Sequence, residues 1–193
     1  MTSKVTAVWY DTFAVEHMIE STMPQLTLVL GGARSGKSRY AQNLIAALPP
    51  PWVFVATGEP GDAEMTERIA LHRLKRGENW QTIEAPHDLT AALASISDKA
   101  PILIDCLTLW LSNRMLADAD LEAEIALLEA ALDRRRAPIA LVSNEVGFGI
   151  VPDNESARRF RDLQGRLNQR MAARADRVVL VVAGLPIVVK EAR

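Results

Sequence analysis

One octapeptide restricts what this chain can fold into more than any other feature: Gly31-Gly32-Ala33-Arg34-Ser35-Gly36-Lys37-Ser38. It matches the glycine-x4-glycine-lysine-serine pattern, follows the apolar run Leu26–Leu30, and precedes a helix-forming stretch. In that setting the glycines let successive backbone N–H groups point into one concavity, and the helix N-terminus adds its positive dipole end. Lys37 then reaches the β- and γ-phosphates of a nucleotide, and the Ser38 hydroxyl holds Mg²⁺. A glycine-rich turn carrying a surface lysine is the plainer alternative, and the strand–loop–helix context argues against it.

The rest of the chain repeats the rhythm that this loop requires. Apolar runs rich in β-branched residues occur at Leu26–Leu30, Trp52–Ala56, Ile102–Asp105, Ile139–Ser143 and Val178–Val182. They are continuous rather than alternating, as expected of parallel strands covered on both faces. A sixth run, Ile187–Val189, follows Gly184-Leu185-Pro186 closely enough to be an antiparallel hairpin partner at the sheet edge. Between the runs, Leu121, Ile125, Leu128 and Leu132 share one helical face, as do Ala157, Phe160, Leu163, Leu167 and Met171 after the start signal Asp153-Asn154. The expectation is an α/β, P-loop NTPase-like three-layer fold with a mostly parallel sheet, in one domain over residues 26–193. Residues 1–25 read as an N-terminal extension, helical over Thr12–Ser21.

Composition narrows the function classes. Lys and Arg number 22 against 24 Asp and Glu, for a formal net charge of -2, which argues against a general nucleic-acid binder. With 49% hydrophobic and 24% charged residues the chain is not disordered, and no segment approaches the about 18 apolar residues of a membrane span. A single cysteine, Cys106, excludes a disulfide framework. With no secretory signal evident, the expected compartment is the cytoplasm.

A P-loop needs a second acidic group for its metal, normally at the end of a neighbouring strand. Asp105 closes the run Ile102–Asp105 at the edge where open α/β sheets bind ligands. Capping the next segment is its other possible use. Cys106 beside it reads as a small buried residue rather than a nucleophile.

Two further stretches carry unusual chemistry. If Glu67–Arg76 is helical, Arg68, His72 and Arg76 recur every four residues on nearly one side. A histidine between arginines tends to stay neutral, and a neutral imidazole is a competent nucleophile toward phosphorus. On chemistry alone, a half-exposed histidine on a solvated basic face explains the pattern better. The other stretch is Ser143-Asn144-Glu145-Val146-Gly147-Phe148-Gly149-Ile150-Val151-Pro152, which leaves a strand on the ligand side. The following Asp153–Arg177 holds seven arginines against four acids, as either a ligand surface or an amphipathic helix with a charged outer face. No Asn-Lys-x-Asp guanine reader of the GTPase switches occurs.

Taken in order, Gly31–Arg39, Ala56-Thr57, Arg68-Ile69-x-x-His72-Arg73, Asp105–Asn113, Asn144–Pro152 and Phe160–Gln169 resemble the bifunctional adenosylcobinamide kinase/adenosylcobinamide-phosphate guanylyltransferases of cobalamin biosynthesis. The resemblance runs from about Leu26 to Lys190. It implies phosphorylation of adenosylcobinamide with ATP or GTP, then transfer of GMP from GTP to adenosylcobinamide phosphate, giving adenosyl-GDP-cobinamide and pyrophosphate. It also implies a guanylylated histidine at His72, reversing the reading from chemistry alone, and a homo-oligomer, a trimer. Nucleotide contacts are implied at Gly31, Gly32, Ala33, Arg34, Ser35, Gly36, Lys37 and Ser38, at Ala56, Thr57 and Gly58, at Arg73, Leu74, Lys75 and Arg76, and at Glu84 and Asp105. The sequence departs from the family pattern at Gly77, often proline, and at Asp105, elsewhere glutamate. A P-loop kinase for another small alcohol and a nucleotide-sensing module are the competing expectations.

Overall fold

A computed structural model describes residues 24–59 and 77–191. Seven strands form one sheet: β1 (Leu26–Gly31), β2 (Trp52–Ala56), β3 (Trp80–Glu84), β4 (Ile102–Asp105), β5 (Ile139–Asn144), β6 (Arg177–Val182) and β7 (Leu185–Glu191). Their spatial order is β3-β2-β4-β5-β1-β6-β7, parallel throughout except for β7, which runs antiparallel to β6. The described helices are α1 (Lys37–Ala46), α2 (Leu89–Ser95), α3 (Leu107–Leu116), α4 (Leu121–Asp133) and α5 (Glu155–Arg174). The three-layer architecture and the antiparallel edge strand expected from the sequence are both present.

The central strands are apolar on both faces because both faces are covered. Alternate residues Leu28, Val53, Val55, Ile102, Ile104, Ile139 and Leu141 pack with α2, α3, α4 and α5. The intervening Val29, Phe54, Leu103, Ala140, Val142, Val179 and Val181 pack with Ala41 and Ile45 of α1. The face that the spacing assigned to α4 is buried as expected: Leu121, Ile125, Leu128 and Leu132 all lie in the first core. In α5, Leu167 and Met171 are fully buried, and Asn154 caps the helix by accepting from the Ala157 N–H at 2.7 Å.

The strand order corrects one expectation. Asp105 stands on β4, which is not the neighbour of β1, because β5 lies between them. The helical readings of Thr12–Ser21 and Glu67–Arg76, together with His72, Arg73, Leu74, Lys75 and Arg76, lie outside the described residues.

Candidate nucleotide site

The phosphate loop is held from three sides. At Gly31 a Cβ would lie 2.5 Å from Ser35 Oγ and 2.7 Å from the Val181 carbonyl oxygen, so β1 can turn here only without a side chain. The turn closes with Ser35 N–H donating to Gly32 O at 3.3 Å, and Gly36 takes a left-handed φ of 96° to start α1. From the far side, the β6–β7 turn donates Gly184 N–H to Ser35 O at 2.8 Å. A Cβ on Gly36 would meet Gly184 Cα at 3.3 Å, so the two glycines permit this close approach.

The loop presents hydrogen-bond donors. No side chain caps the N-terminus of α1 and no acid occupies its first turn, which leaves backbone N–H groups and the helix dipole for an anion. Lys37 is buried, with its Nζ donating to Gly32 O at 3.1 Å, so the ammonium lies against the loop it would serve. Gly32, Ala33 and Arg34 are exposed, and Ser38 is half-buried. Ser35 Oγ is buried without a hydrogen-bond partner among the described residues.

The remaining candidates line the same C-terminal edge. Alternation along β4 puts Leu103 in the α1-side core and Ile102 and Ile104 in the other, so Asp105 projects toward the α1 side, where Lys37 and Ser38 begin the helix. Cys106, not Asp105, occupies the N-cap position of α3, with no side-chain cap bond. Asp105 and the Ser38 hydroxyl are hard oxygen donors on one side of the sheet, a set that suits Mg²⁺ completed by phosphate and water oxygens.

The Thr57 side chain has a structural duty. It is fully buried, and its hydroxyl donates to Cys106 O at 2.6 Å while accepting from Cys106 N–H at 2.8 Å. Its side chain therefore ties the end of β2 to the end of β4. Ala56 and Gly58 flank it, half-buried. Glu84 ends β3 and is exposed, four strand spacings from β1, about 19 Å along the edge. Burial, together with the Asp105 carboxylate, pushes the Cys106 thiol up to about 11, so the residue is a neutral packing group as expected.

Asn113 and Asn168 lie in the stretches that carry the resemblance, but their structural roles, like that of Gln164, escaped the sequence reading. Asn113 of α3 donates through Nδ2 to Thr57 O at 2.9 Å and Pro86 O at 3.0 Å, clamping the exits of β2 and β3. Gln164 and Asn168, one turn apart on α5, meet Ser143 in a buried cluster: Ser143 Oγ donates to Asn168 Oδ1 at 2.7 Å, and Gln164 Nε2 donates to Ser143 Oγ at 2.9 Å. The four-residue spacing of two amides within a helical pattern was the available signal. His87 and Glu59 form a half-exposed pair at 2.7 Å on the same edge. Beyond β5, Phe148 and Ile150 are exposed, by 84% and 98%, as parts of a loop rising beside the P-loop.

Comparison with known proteins agrees with this fold and shows the family. Among solved structures, one from Pyrococcus horikoshii OT3 superposes with a TM-score of 0.56 at 10% identity, covering 92% of each chain. An ATPase from the type III secretion system of pathogenic bacteria gives 0.50 at 12% identity, over 85% of this chain and 56% of that one. These likenesses show the fold alone. In sequence, the bifunctional adenosylcobalamin biosynthesis protein CobP of Pseudomonas aeruginosa is 46% identical over 166 residues, which is 84% of this chain and 96% of that protein. CobU of Salmonella typhimurium, bearing the same description, is 41% identical over 181 residues, 86% of this chain and 99% of that protein. The pattern of the family described as cobinamide kinase / cobinamide phosphate guanyltransferase matches residues 27–189, and the chain belongs to that family.

Proposed function

We propose that this protein performs both reactions for which its family is named, phosphorylating adenosylcobinamide with ATP or GTP and then transferring GMP from GTP to adenosylcobinamide phosphate. The observation that carries this reading is the phosphate cradle itself: an uncapped helix N-terminus, a buried lysine folded over the loop, and a carboxylate on the same side of the sheet. With a triphosphate in the loop, Lys37 and the α1 amides offset the charge that builds on the β- and γ-phosphates. Mg²⁺, held by Ser38 and Asp105, would supply further neutralisation of that charge. Ala56, Thr57, Gly58 and Glu84 follow the same edge toward β3, and the nucleoside end of the ligand extends in that direction.

In the second reaction the nucleophile is His72. Its imidazole nitrogen attacks the α-phosphorus of GTP as the bond to the bridging oxygen breaks. Pyrophosphate leaves, and the resulting P–N bond is broken in turn by the phosphate of the corrinoid. Arg73, Leu74, Lys75 and Arg76 contact the nucleotide beside it.

The reading includes residues 1–25 as an extension outside the catalytic domain, a cytoplasmic location and a homotrimer. No described helix is long and apolar enough to cross a membrane. The exposed β7 residues Leu185, Ile187, Val188 and Val189 form an apolar edge suited to self-association, which sedimentation equilibrium tests.

Separating the half-reactions tests the function. His72→Ala is expected to keep converting cobinamide to its phosphate while failing to convert added cobinamide phosphate to the GDP derivative. Lys37→Ala is expected to lose the first conversion. A His72→Ala protein that still releases pyrophosphate with cobinamide phosphate and GTP contradicts the reading.

A further inference from the structure

Asn144 is the last residue of β5, the strand that separates the P-loop strand from the strand bearing Asp105. It pairs in register with Gly31, where β1 turns into the loop, and the next amide, Glu145 N–H, donates to Gly31 O at 3.1 Å. Alternation fixes the side on which it projects. Ala140 and Val142 lie in the core beneath α1, whereas Leu141 lies in the opposite core and Ser143 bonds to Asn168 of α5. Asn144 therefore projects to the α1 side, as does Asp105 on the adjacent strand.

The backbone of Asn144 is fixed independently of its side chain. Its N–H donates to Thr108 Oγ1 at 2.7 Å, and its carbonyl accepts from Asn168 Nδ2 at 3.0 Å. Meanwhile the carboxamide Oδ1 is buried with no hydrogen-bond partner among the described residues. An amide oxygen left so is costly, and a scaffold that clamps only the main chain leaves the carboxamide for something else.

We propose that the Asn144 carboxamide contacts the terminal phosphate group of the bound nucleoside triphosphate, Nδ2–H donating to a γ-phosphate oxygen while Oδ1 accepts from the attacking hydroxyl. This rests on the reading of Gly31–Ser38 as a triphosphate cradle. In the step it serves, the hydroxyl oxygen bonds to the γ-phosphorus as the bond to the β–γ bridging oxygen breaks, the nucleoside diphosphate leaves, and the hydroxyl proton passes to an oxygen of the transferred phosphoryl group and on to solvent. Asn144 itself neither gains nor loses a proton. On the strand between the P-loop strand and the strand bearing Asp105, it gives the site a neutral group that recognises the third phosphate, which a diphosphate lacks.

Calorimetric titration of the full-length protein with adenosine β,γ-imidotriphosphate and with ADP, both in Mg²⁺, tests this without guanylyl transfer. For Asn144→Ala, triphosphate affinity is expected to fall about tenfold, the usual weight of a hydrogen bond to a charged group, with ADP affinity and melting temperature unchanged. Asn144→Asp, nearly isosteric and so tolerant of the same backbone clamps, is expected to lose more, because a carboxylate then opposes the phosphate. Either variant retaining the wild-type ratio of triphosphate to diphosphate affinity, or losing both ligands equally, overturns the proposal. A wild-type protein that binds neither nucleotide overturns the cradle reading, and this inference with it.

Discussion

At Gly31 a methyl group would collide with Ser35 Oγ at 2.5 Å and the Val181 carbonyl at 2.7 Å, whereas at Gly32 it would meet nothing within 4 Å. The carbonyl belongs to a central strand and cannot yield. Gly31→Ala is therefore expected to destabilise the protein by about 1–3 kcal/mol, lowering the melting temperature by several degrees, while Gly32→Ala leaves it nearly unchanged. Equal melting temperatures for the two variants would contradict the packing described around the loop. The motif marks both glycines alike, and only the approach of β6 distinguishes them. Asn113 makes a second case at this scale. Both its contacts are carbonyl acceptors, at 2.9 and 3.0 Å. Asn113→Asp sets an acceptor against two acceptors, with an expected loss of about 1–3 kcal/mol in denaturant unfolding at neutral pH. A shift within about 0.5 kcal/mol would show that the clamp is dispensable.

Helices α4 and α5 are joined by charge rather than by apolar packing alone. Arg170 grips Glu129 through Nε and an Nη, both at 2.8 Å, and Arg174 adds a third contact at 3.4 Å. The hydrogen bonds from Arg170 hold the buried Glu129 carboxyl below its ordinary range, against the opposing effect of burial. A lowered carboxylate pKa means that the unfolded chain takes up a proton first as the pH falls. The stability from this pair is thus fully present above the ordinary glutamate value and is lost as pH drops through the depressed one. Glu129→Gln is expected to cost about 1–2 kcal/mol at pH 7, a difference that closes in acid when unfolding is followed against pH. A gap independent of pH would contradict it. The β6–β7 hairpin acts on the site at the same scale, bracing Ser35 through Gly184, so an edge element of modest sequence signal supports the loop.

Across the whole molecule, legibility followed burial. The strands covered on both faces stood out as continuous apolar runs, and the α4 and α5 stripes read correctly because each has one buried side. Strand β3, Trp-Gln-Thr-Ile-Glu at the sheet edge with no fully buried residue, carried no such run and was not read as a strand. Helix α2 has seven residues, too few for periodicity to show. The insertion of β5 between β1 and β4 was unreadable because order along the chain does not determine order across a sheet. At the site, the loop was legible from its motif, while the duties of Thr57 and Asn113 and the clamping of the Asn144 backbone depend on hydrogen bonds between elements far apart in sequence. The central claim reaches beyond those elements to one histidine among the chain's three. Peptide mapping by mass spectrometry after incubation with GTP and Mg²⁺ tests it most directly. The account predicts a single GMP adduct on His72, absent in His72→Ala. An adduct on His87 beside Glu59, or none at all in a protein that still forms the GDP derivative, would contradict it.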